Sequence, residues 1–541
     1  MKSGRPAVLL GTALTVAIGT LAIAAPTVAS TGGSDQGDAL RKKGVGAPKA
    51  FVVCKRGCPY RTIQEGANAA GKYQAKSGRG AQVKVKPGTY KEGVLLNGKR
   101  KGHDFDGLAI IGVKKNGRPN PSAKGVTLEG DGAKVVLKGN DPYWVPGDPA
   151  IVPAGNGIEG RSVNGLVLEN LYARNYGVNG FFVWASTNRS LKERCNDYTM
   201  ENLWASSNRS YGLYARNCFG GAMVDSRGWF HGDSAFYVGE TPCDSDSWNN
   251  LGSAPTRCQR KPKWTLLSNL DSFQNVLGYS GTNAKYVRIT KSRFYNNGAG
   301  IVPNTLDSER FEPSGWSLFD NNDIFWNNYN YFRPDSAFTT VSSGLGELLG
   351  QTVNYPMGVG VILFGTDGIE VKNNRIFGHA KWGAAAFSAP VVEGVVIANE
   401  DDDAKNLNNE FKGNKMGWNG TYPNGFDFLS DYSGGGNCWS DNGSSATWVV
   451  GNGSVPPSSI YPGCPQPGKL NSQTSSFSPI AGIQLNLDNE KDPSTVLGYA
   501  ASSPPDSQEC SWTIPLATGS VKAPTNGRTY KEKRTSPPTC P

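Results

Sequence analysis

The stretch Gly165-Leu-Val-Leu-Glu-Asn170-Leu-Tyr-Ala-Arg-Asn175, soon followed by Gly180-Phe-Phe-Val183, decides the fold of this 541-residue chain. A short β-type run leads to a polar residue, an apolar residue two positions on, and a second polar residue five positions on. The same phrase recurs at Asn202–Ser207, Ser226–His231, Asn269–Gln274, Ser292–Asn297, Asn322–Asn327, Asn374–His379 and Asn414–Asn419. Successive phrases start 32, 24, 43, 23, 30, 52 and 40 residues apart, so the minimal unit has 23 or 24 residues.

A unit of this length predicts one rung of a parallel β-solenoid, with the longer spacings representing rungs that carry insertions. A propeller blade needs about 40 residues, and the leucine frame of a leucine-rich repeat is missing. Stacked rungs lie about 4.8 Å apart. Asparagine tolerates left-handed turns, and its amide both donates and accepts. A ladder of Asn, Ser and Gln would therefore satisfy turn backbone that is otherwise buried unpaired.

The composition agrees with a turn-rich, all-β protein. The chain has 69 glycines and 34 prolines, and only 18% of its residues are charged. This excludes a coiled coil, and the absence of a Gly-X-Y period excludes collagen. The 55 aromatic residues (21 Phe, 21 Tyr and 13 Trp) are too many for a disordered chain.

The N-terminal part carries a second pattern. Residues Thr62-Ile-Gln-Glu-Gly-Ala-Asn-Ala-Ala70, followed by Val83-Lys-Val-Lys-Pro-Gly-Thr-Tyr-Lys-Glu92, resemble the opening segment of the pectin-lyase-like right-handed parallel β-helices. The resemblance covers roughly residues 50–430 and implies a helix that caps the open end of the solenoid. We therefore predict a basic segment and cap helix over 31–80, a single right-handed parallel β-helix over 81–430, and an irregular Pro/Ser-rich, disulfide-stapled extension over 431–541.

The first thirty residues predict a secretory signal peptide. Lys2 and Arg5 precede an apolar stretch from Ala7 to Ala25, and small residues follow at positions 28–30. A membrane anchor is the alternative, because this stretch is nearly long enough to span a bilayer. We expect a secreted, extracellular monomer with no membrane contact after signal removal and no nucleic-acid partner.

Ten cysteines fit an oxidising compartment. They fall into five couples that are neighbours in the sequence. The couples are Cys54 with Cys58, Cys195 with Cys218, Cys243 with Cys258, Cys438 with Cys464, and Cys510 with Cys540. We predict a disulfide within each couple, although sequence alone does not fix connectivity.

Charge is distributed unevenly. Residues 31–140 carry 22 Lys+Arg and 8 Asp+Glu, which is +14, whereas residues 141–541 carry 31 and 37, which is −6. The basic stretch could attract an acidic polymer, such as a uronic-acid polysaccharide or a cell wall. A solvated basic surface is the alternative interpretation.

Four insertions follow the second strand of a rung, at 240–262, 303–315, 333–357 and 427–464. Insertions at one point of the rung stack into a wall on one face, and a groove beside that wall would suit an extended polymer. These loops hold carboxylates, guanidinium groups and tryptophans. We predict a polysaccharide or cell-surface glycan as the partner.

Three chemistries fit these residues. A β-eliminating lyase needs a base and a Ca²⁺ that neutralises the uronate, a glycoside hydrolase needs two carboxylates, and an epimerase needs a base and an acid on opposite faces of the ring. We assign catalytic roles to Asp307, Glu309, Arg310, Arg333, His231 and Asp233. We assign substrate binding to Trp248, Trp264 and Glu312, and a possible Ca²⁺ to Glu240, Asp244 and Asp246.

Alternatives remain for each assignment. The acidic residues could be solvated loop charges, and His231 and His379 could be ladder members that replace asparagine. The related mannuronan epimerases carry Tyr-Gly-apolar-Asp-Pro-His, whereas Tyr176-Gly177-Val178 is followed here by Asn179. The leading prediction is a secreted protein that acts on an acidic or complex polysaccharide by β-elimination. The alternatives are a non-catalytic glycan- or surface-binding β-helix and a glycoside hydrolase.

Overall fold

Three long parallel sheets form a right-handed β-helix, as predicted. The structure is a computed structural model that describes residues 47–100, 102–186, 194–242, 263–306, 309–331, 355–387, 405–417, 422–430, 434–443 and 461–465, with two short strands further on. Each complete rung contributes one strand to the first sheet, then one to the second, then one to the third. The strands Lys49–Val53 and Cys438–Ser440 contribute to the first sheet alone. Each strand pairs in parallel with its equivalent in the next rung, for example Phe181 with Leu213 and Leu213 with Phe236.

The strands of the first sheet are Lys49–Val53, Ala81–Val85, Ala109–Gly112, Val167–Glu169, Tyr198–Glu201, Gly221–Val224, Thr265–Ser268, Val287–Thr290, Leu318–Asp320, Glu370–Lys372, Glu410–Lys412 and Cys438–Ser440. Those of the second sheet are Gly88–Tyr90, Val126–Glu129, Tyr172–Arg174, Trp204–Ser206, Arg227–Trp229, Asp271–Phe273, Arg293–Tyr295, Asp323–Phe325, Arg375–Phe377 and Lys415–Met416. Those of the third sheet are Val94–Asn97, Asn156–Arg161, Asn179–Trp184, Leu213–Arg216, Ser234–Gly239, Leu277–Thr282, Ala299–Asn304, Val359–Phe364, Trp382–Phe387 and Phe426–Ser430.

Four further strand pairs are separate from the three long sheets. They are Lys99–Arg100 with His103–Asp104, Lys134–Val136 with Ile151–Pro153, Ser314–Gly315 with Thr366–Asp367, and Ser520–Lys522 with Thr529–Lys531. A 3-10 turn spans Ala123–Gly125. The first sheet begins at Lys49 and ends at Ser440, so the solenoid extends beyond both ends of the predicted range 81–430.

The predicted cap helix is Ile63–Ser77. Thr62 and Glu65 form a capping box at its start, and Gly78 adopts a left-handed conformation, φ 65°, at its end. The Glu92 carboxylate accepts from the backbone N–H groups of Ile63 and Gln64, at 2.9 and 3.0 Å. The apolar side of the helix belongs to the same core as the first strands, so the helix covers the end of the solenoid.

Side chains alternate between the core and the outside along every strand. In the third sheet Ile158, Phe181, Leu213 and Phe236 point inward and are fully buried. The core is continuous from the cap helix to Trp439 in the last strand of the first sheet. Tyr461 packs on Trp439 at 5.1 Å between ring centroids, so the described part of the C-terminal extension covers the last rung.

The polar ladder exists, but it comprises two adjacent columns at each turn rather than the single column that the sequence predicted. After the first sheet, Asn170, Asn202 and Asn269 have φ between 50° and 60°, and they supply the left-handed turn. The position one residue on forms a separate, buried column. It is occupied by leucine after these three asparagines and by Ser292, Asn322, Asn374, Asn414 and Asn442 in later rungs. Within it Asn322, Asn374 and Asn414 each donate from Nδ2 to Oδ1 of the next member, at 3.0, 3.0 and 2.8 Å.

The second turn has a matching buried column that contains both histidines. It runs through Asn208, His231, Asn275, Asn297, Asn327, His379 and Asn424. Nδ1 of His231 accepts from the backbone N–H of Asn208 at 3.3 Å, and Nδ1 of His379 accepts from that of Asn327 at 3.2 Å. Each imidazole therefore does what an asparagine Oδ1 does in the other rungs.

Glycines leave room for this column. A Cβ on Gly212 would lie 2.7 Å from Nε2 of His231, and a Cβ on Gly300 would lie 2.8 Å from Nδ2 of Asn327. These glycines open third-sheet strands, which explains why the sequence repeats Gly180-Phe, Gly212-Leu and Gly300-Ile after each phrase.

Three predicted disulfides are confirmed: Cys54–Cys58, Cys195–Cys218 and Cys438–Cys464. These disulfides are consistent with export to an oxidising compartment.

The other two predicted disulfides lie outside the described residues. They are the disulfide of Cys243 with Cys258 and the disulfide of Cys510 with Cys540. Both pairings therefore stay predictions, and so does the signal peptide, which also lies outside the described part of the chain. Among the helices that the structure describes, none combines the length and the apolar character needed to cross a membrane.

Candidate functional site

The outer face of the third sheet carries a continuous set of aromatic rings. Because Phe181 and Val183 point into the core, Phe182 and Trp184 point outward and stack at 5.9 Å. Phe182 stacks on Tyr214 at 4.5 Å, Tyr214 meets Tyr237 at 4.6 Å, and Tyr211 contacts both tyrosines. We call Phe182, Trp184, Tyr211, Tyr214 and Tyr237 the ring face. It spans three successive rungs.

Three carboxylates border the last strand of the ring face. Asp233 and Glu240 lie at its opposite ends, roughly 20 Å apart at about 3.3 Å per residue, and Glu309 lies within electrostatic range of both. Asp233 directly precedes the strand Ser234–Gly239, Glu240 directly follows it, and Glu309 arrives from the insertion after the next-but-one third-sheet strand. Oε2 of Glu309 accepts from the hydroxyl of Tyr237 at 3.4 Å. An Asp233 oxygen accepts from the Ser234 hydroxyl at 3.0 Å, and the Tyr211 hydroxyl also bonds this carboxyl.

Burial sets the protonation of two of these groups. Burial, together with the charge of Glu240, raises the pKa of Glu309 to about 7, against the opposing charge of Arg216. Burial also raises the pKa of Asp233 to about 6, against the hydrogen bonds from Ser234 and Tyr211. A carboxyl that holds its proton near neutral pH is suited to general acid catalysis, and its partner with the lower pKa is suited to general base catalysis.

Glu240 has a different environment. Its Oε2 accepts from Nε of Arg216 at 3.0 Å and its Oε1 from Nη2 at 2.7 Å, in a bidentate pair. The Glu240 side chain is only 3% exposed. This pair fixes the position of the Glu240 carboxylate, whose charge acts on Glu309.

The opposite end of the ring face is an ion-pair network. Glu159 accepts from Nε of Arg161 at 2.6 Å and from Nε1 of Trp184 at 2.8 Å. Arg161 also pairs with Asp141 at 2.9 Å, which ties the loop before the strand Ile151–Pro153 to the sheet. The network fixes the orientation of the Trp184 ring.

Three of the predicted site residues border one third-sheet strand: Asp233 and Glu240 flank it, and Glu309 lies within electrostatic range of both. Arg310 follows Glu309 in the same insertion and is partly exposed. The backbone carbonyl of Glu312 accepts from Nζ of Lys285 at 3.1 Å. Asp307, Arg333, Trp248, Asp244 and Asp246 lie outside the described residues.

Two predicted residues lie elsewhere in the described structure. His231 is completely buried in the ladder, and burial lowers its pKa to about 3, so the ladder interpretation describes its contacts. Trp264 precedes a first-sheet strand and packs on Tyr286 at 5.4 Å, away from the ring face. The motif residue Tyr176 is also buried, with its hydroxyl donating to the carbonyl of Glu92 at 2.7 Å.

The residues that sequence reasoning missed are Arg216 and the ring face. The signal for four of them was present, because Phe182, Trp184, Tyr214 and Arg216 lie at alternate positions of short runs that begin with glycine, as in Gly212-Leu-Tyr-Ala-Arg216. It was readable only once the inward positions of those runs were known.

Two of the three predicted Ca²⁺ ligands, Asp244 and Asp246, lie outside the described residues, so the Ca²⁺ site stays a prediction. Both oxygens of the third ligand, Glu240, accept from Arg216. Within the described ranges one group of possible ligands is compact enough for an ion, Glu410 with Cys438 and Cys464, and its two cysteines form a disulfide.

Comparison with known proteins yields fold-level similarities. No protein family matches the chain, and no curated protein sequence matches it. The A-module of the mannuronan C-5 epimerase AlgE6 from Azotobacter vinelandii is 13% identical over 72% of this chain and 91% of its own, with a TM-score of 0.41. Pectate lyase Pel9A is 15% identical over 78% and 82%, with a TM-score of 0.33. The catalytic domain of a GH87 alpha-1,3-glucanase is 9% identical over 76% and 69%, with a TM-score of 0.38. The fold is the right-handed parallel β-helix that the resemblance to the pectin-lyase-like superfamily implied.

Proposed function

We propose that the chain is an extracellular enzyme that hydrolyses a glycan on the ring face. The observation that carries the proposal is the position of Glu309 and Asp233, two carboxyls with raised pKa values, within electrostatic range of each other and beside stacked aromatic rings. Glycoside hydrolases use a pair of carboxyls, one of which holds its proton near neutral pH. Tyr214 and Tyr237 are buried, whereas Phe182, Trp184 and Tyr211 are partly exposed. Aromatic rings bind the apolar faces of sugars, which suits these three rings to a glycan chain.

In the proposed reaction Glu309 is the general acid. Its proton passes to the glycosidic oxygen as the bond from that oxygen to the anomeric carbon breaks. Asp233 takes a proton from a water molecule, whose oxygen forms the new bond to the anomeric carbon. Glu240 is a positioning residue that keeps Glu309 protonated through its fixed charge.

The charge of the site favours a neutral glycan over a polyuronate. Four described carboxylates border the ring face together with the protonated Glu309, against two arginines, Arg161 and Arg216. The four are Asp141, Glu159, Asp233 and Glu240. Both arginines already bind carboxylates. A uronate would meet uncompensated negative charge, which costs about 1–4 kcal/mol per pair of charges at 4 Å near a protein surface. β-Elimination, the leading prediction from sequence, needs a cation for that uronate, and hydrolysis does not.

The test compares substrates and variants in one assay series. Neutral and uronic-acid polysaccharides are incubated with the protein, and reducing ends and the ultraviolet absorbance of unsaturated products are both measured. We expect new reducing ends from a neutral polysaccharide without the absorbance change. Glu309→Gln and Asp233→Asn should each lower kcat by about 10²–10⁴-fold, while glycan binding is retained.

Glu370→Gln is the matched control, because Glu370 is a half-exposed carboxylate of the first sheet that is paired with Lys372. It should leave kcat unchanged. Formation of unsaturated products would show that the reaction is elimination and not hydrolysis. Binding without turnover on any substrate, unaltered in Glu309→Gln, would support the non-catalytic alternative instead.

A further inference from the structure

One turn of the solenoid contacts both chain segments that carry the carboxyls Glu240 and Glu309. It joins the third-sheet strand Leu277–Thr282 to the first-sheet strand Val287–Thr290, and we call its residues 283–285 the linking turn. Two of its three residues are polar and buried, which is unusual for a turn, because turns normally face solvent. Their contacts therefore indicate what the turn does.

Asn283 binds the backbone of the insertion 303–315, which carries Glu309. It is completely buried, and its φ of 49° lies in the left-handed region that asparagine tolerates. Its Nδ2 donates to the carbonyls of Leu306 and Glu309, at 2.9 Å each, and its Oδ1 accepts from the N–H of Leu306 at 3.1 Å. The N–H of Glu309 donates to the carbonyl of Leu306 at 3.1 Å. A single amide therefore fixes the backbone of Glu309 itself.

Lys285 binds the same insertion further along. Its side chain is only 3% exposed, and a buried lysine requires partners for its ammonium group. Nζ donates to the carbonyls of Phe311 and Glu312, the latter at 3.1 Å. The backbone of Lys285 exchanges hydrogen bonds with the hydroxyl of Thr241, which donates to the Lys285 carbonyl at 3.2 Å. Lys285 therefore joins the insertion to the residue that directly follows Glu240.

Backbone hydrogen bonds hold the Glu240 segment on the linking turn. The N–H of Glu240 donates to the carbonyl of Thr282 at 2.9 Å, and the N–H of Thr241 donates to that of Asn283 at 3.3 Å. The charge of Glu240 acts on the Glu309 carboxyl. The relative placement of these two carboxyls therefore depends on the linking turn.

We propose that Asn283 and Lys285 are positioning residues for Glu309. Together they hold its carboxyl against Tyr237 and set its separation from Glu240. This inference rests on the proposed function, in which Glu309 is the general acid. A general acid must come within about 2.6–3.2 Å of the atom that takes its proton, and a misplacement of about 1 Å can lower the rate about 10²-fold.

The protonation of Glu309 should depend on the same placement. Burial is the main cause of its pKa of about 7. The charges of Glu240 and Asp233 also raise that pKa, and Arg216 and the Tyr237 hydroxyl oppose them. An insertion released from the linking turn would admit water to the carboxyl, so the pKa of Glu309 would fall toward its ordinary value of 4.5.

The test uses the full chain and the variants N283G and K285M. Glycine adopts a left-handed φ without strain, so N283G removes the amide alone. Methionine keeps an unbranched chain at position 285 and removes the ammonium group. On the neutral polysaccharide that wild type hydrolyses, each variant should lower kcat about tenfold or more and change KM less than about threefold. The alkaline limb of the pH–rate profile should move from about pH 7 to lower pH.

A second measurement needs no turnover. Carbodiimides react with protonated carboxyls, so labelling across a pH series, read by mass spectrometry of the peptide that contains Glu309, gives the midpoint of its protonation without substrate. This midpoint should fall in both variants. The matched control is N269G, because Asn269 is also buried, has a φ of 56° and lies in a turn between the first and second sheets. It should leave kcat and the midpoint unchanged.

Circular dichroism checks that the three variants are folded, and K285M carries the test if N283G is not. A midpoint that stays at the wild-type value in the folded variants would overturn the inference, and so would an equal shift in N269G. A lowered midpoint in a chain that hydrolyses no polysaccharide would remove the proposed function and still support the role of the linking turn in placing Glu309.

Discussion

The two ladder histidines predict a specific dependence of stability on pH. His231 and His379 are buried, and burial lowers the pKa of each from 6.5 to about 3. Between those values the unfolded chain binds protons that the folded chain does not. Stability is therefore fully present above pH 6.5 and is lost as pH falls toward 3. pH 5 lies about 1.5 units below the unfolded pKa, so each histidine lowers the free energy of unfolding by about 2 kcal/mol, and both together by about 4 kcal/mol.

The perturbation is the double variant H231N/H379N. Asparagine occupies the same column in other rungs, and its Oδ1 can accept the backbone N–H that each imidazole Nδ1 accepts. The variant should fold at pH 7. Between pH 7 and pH 5 its free energy of unfolding should fall by about 4 kcal/mol less than that of wild type. Urea unfolding followed by tryptophan fluorescence at both pH values measures the difference.

A gain-of-dependence variant tests the same reasoning from the other side. Asn297 belongs to the column, so Asn297→His places a third buried imidazole there and should steepen the acid loss by about 2 kcal/mol at pH 5. Identical pH dependence in wild type and H231N/H379N would refute the reasoning. Full activity of His231→Asn at pH 7 would further separate the ladder role from a catalytic one.

Three other outcomes follow from the same contacts. Gly300→Ala should destabilise the chain by about 1–3 kcal/mol, because its Cβ would lie 2.4 Å from the carbonyl oxygen of Gly360, as thermal unfolding can show. Asn297→Ala leaves the buried N–H of Asn275 without its acceptor and should lower the free energy of unfolding by about 1–3 kcal/mol in urea titrations, whereas an unchanged value would contradict the ladder energetics. Hydrolysis should fall as pH rises through about 7, where Glu309 loses its proton, and a pH–rate profile without this alkaline limb would argue against Glu309 as the acid.

The sequence alone was sufficient for the architecture. The cap helix, the three confirmed disulfides and the stacked polar turns were all expected from local patterns. These features depend on short-range spacing, such as a capping box of four residues or a turn followed by a buried amide. The register of the ladder was wrong by one residue at Asn170, Asn202 and Asn269, because asparagine serves equally in the left-handed turn and in the buried column beside it.

The site depended on the tertiary structure. Asp233 and Glu309 are distant in the chain, and they come within electrostatic range because rungs of unequal length still place their third-sheet strands side by side. Which residues of a run face outward depends on the phase of the strand, and this brought Arg216 and the rings onto the same face as the carboxylates. The pKa values of Glu309 and Asp233 depend on burial, which no local pattern encodes. Local spacing therefore determined the scaffold, and the stacking of distant rungs decided the chemistry that the scaffold carries.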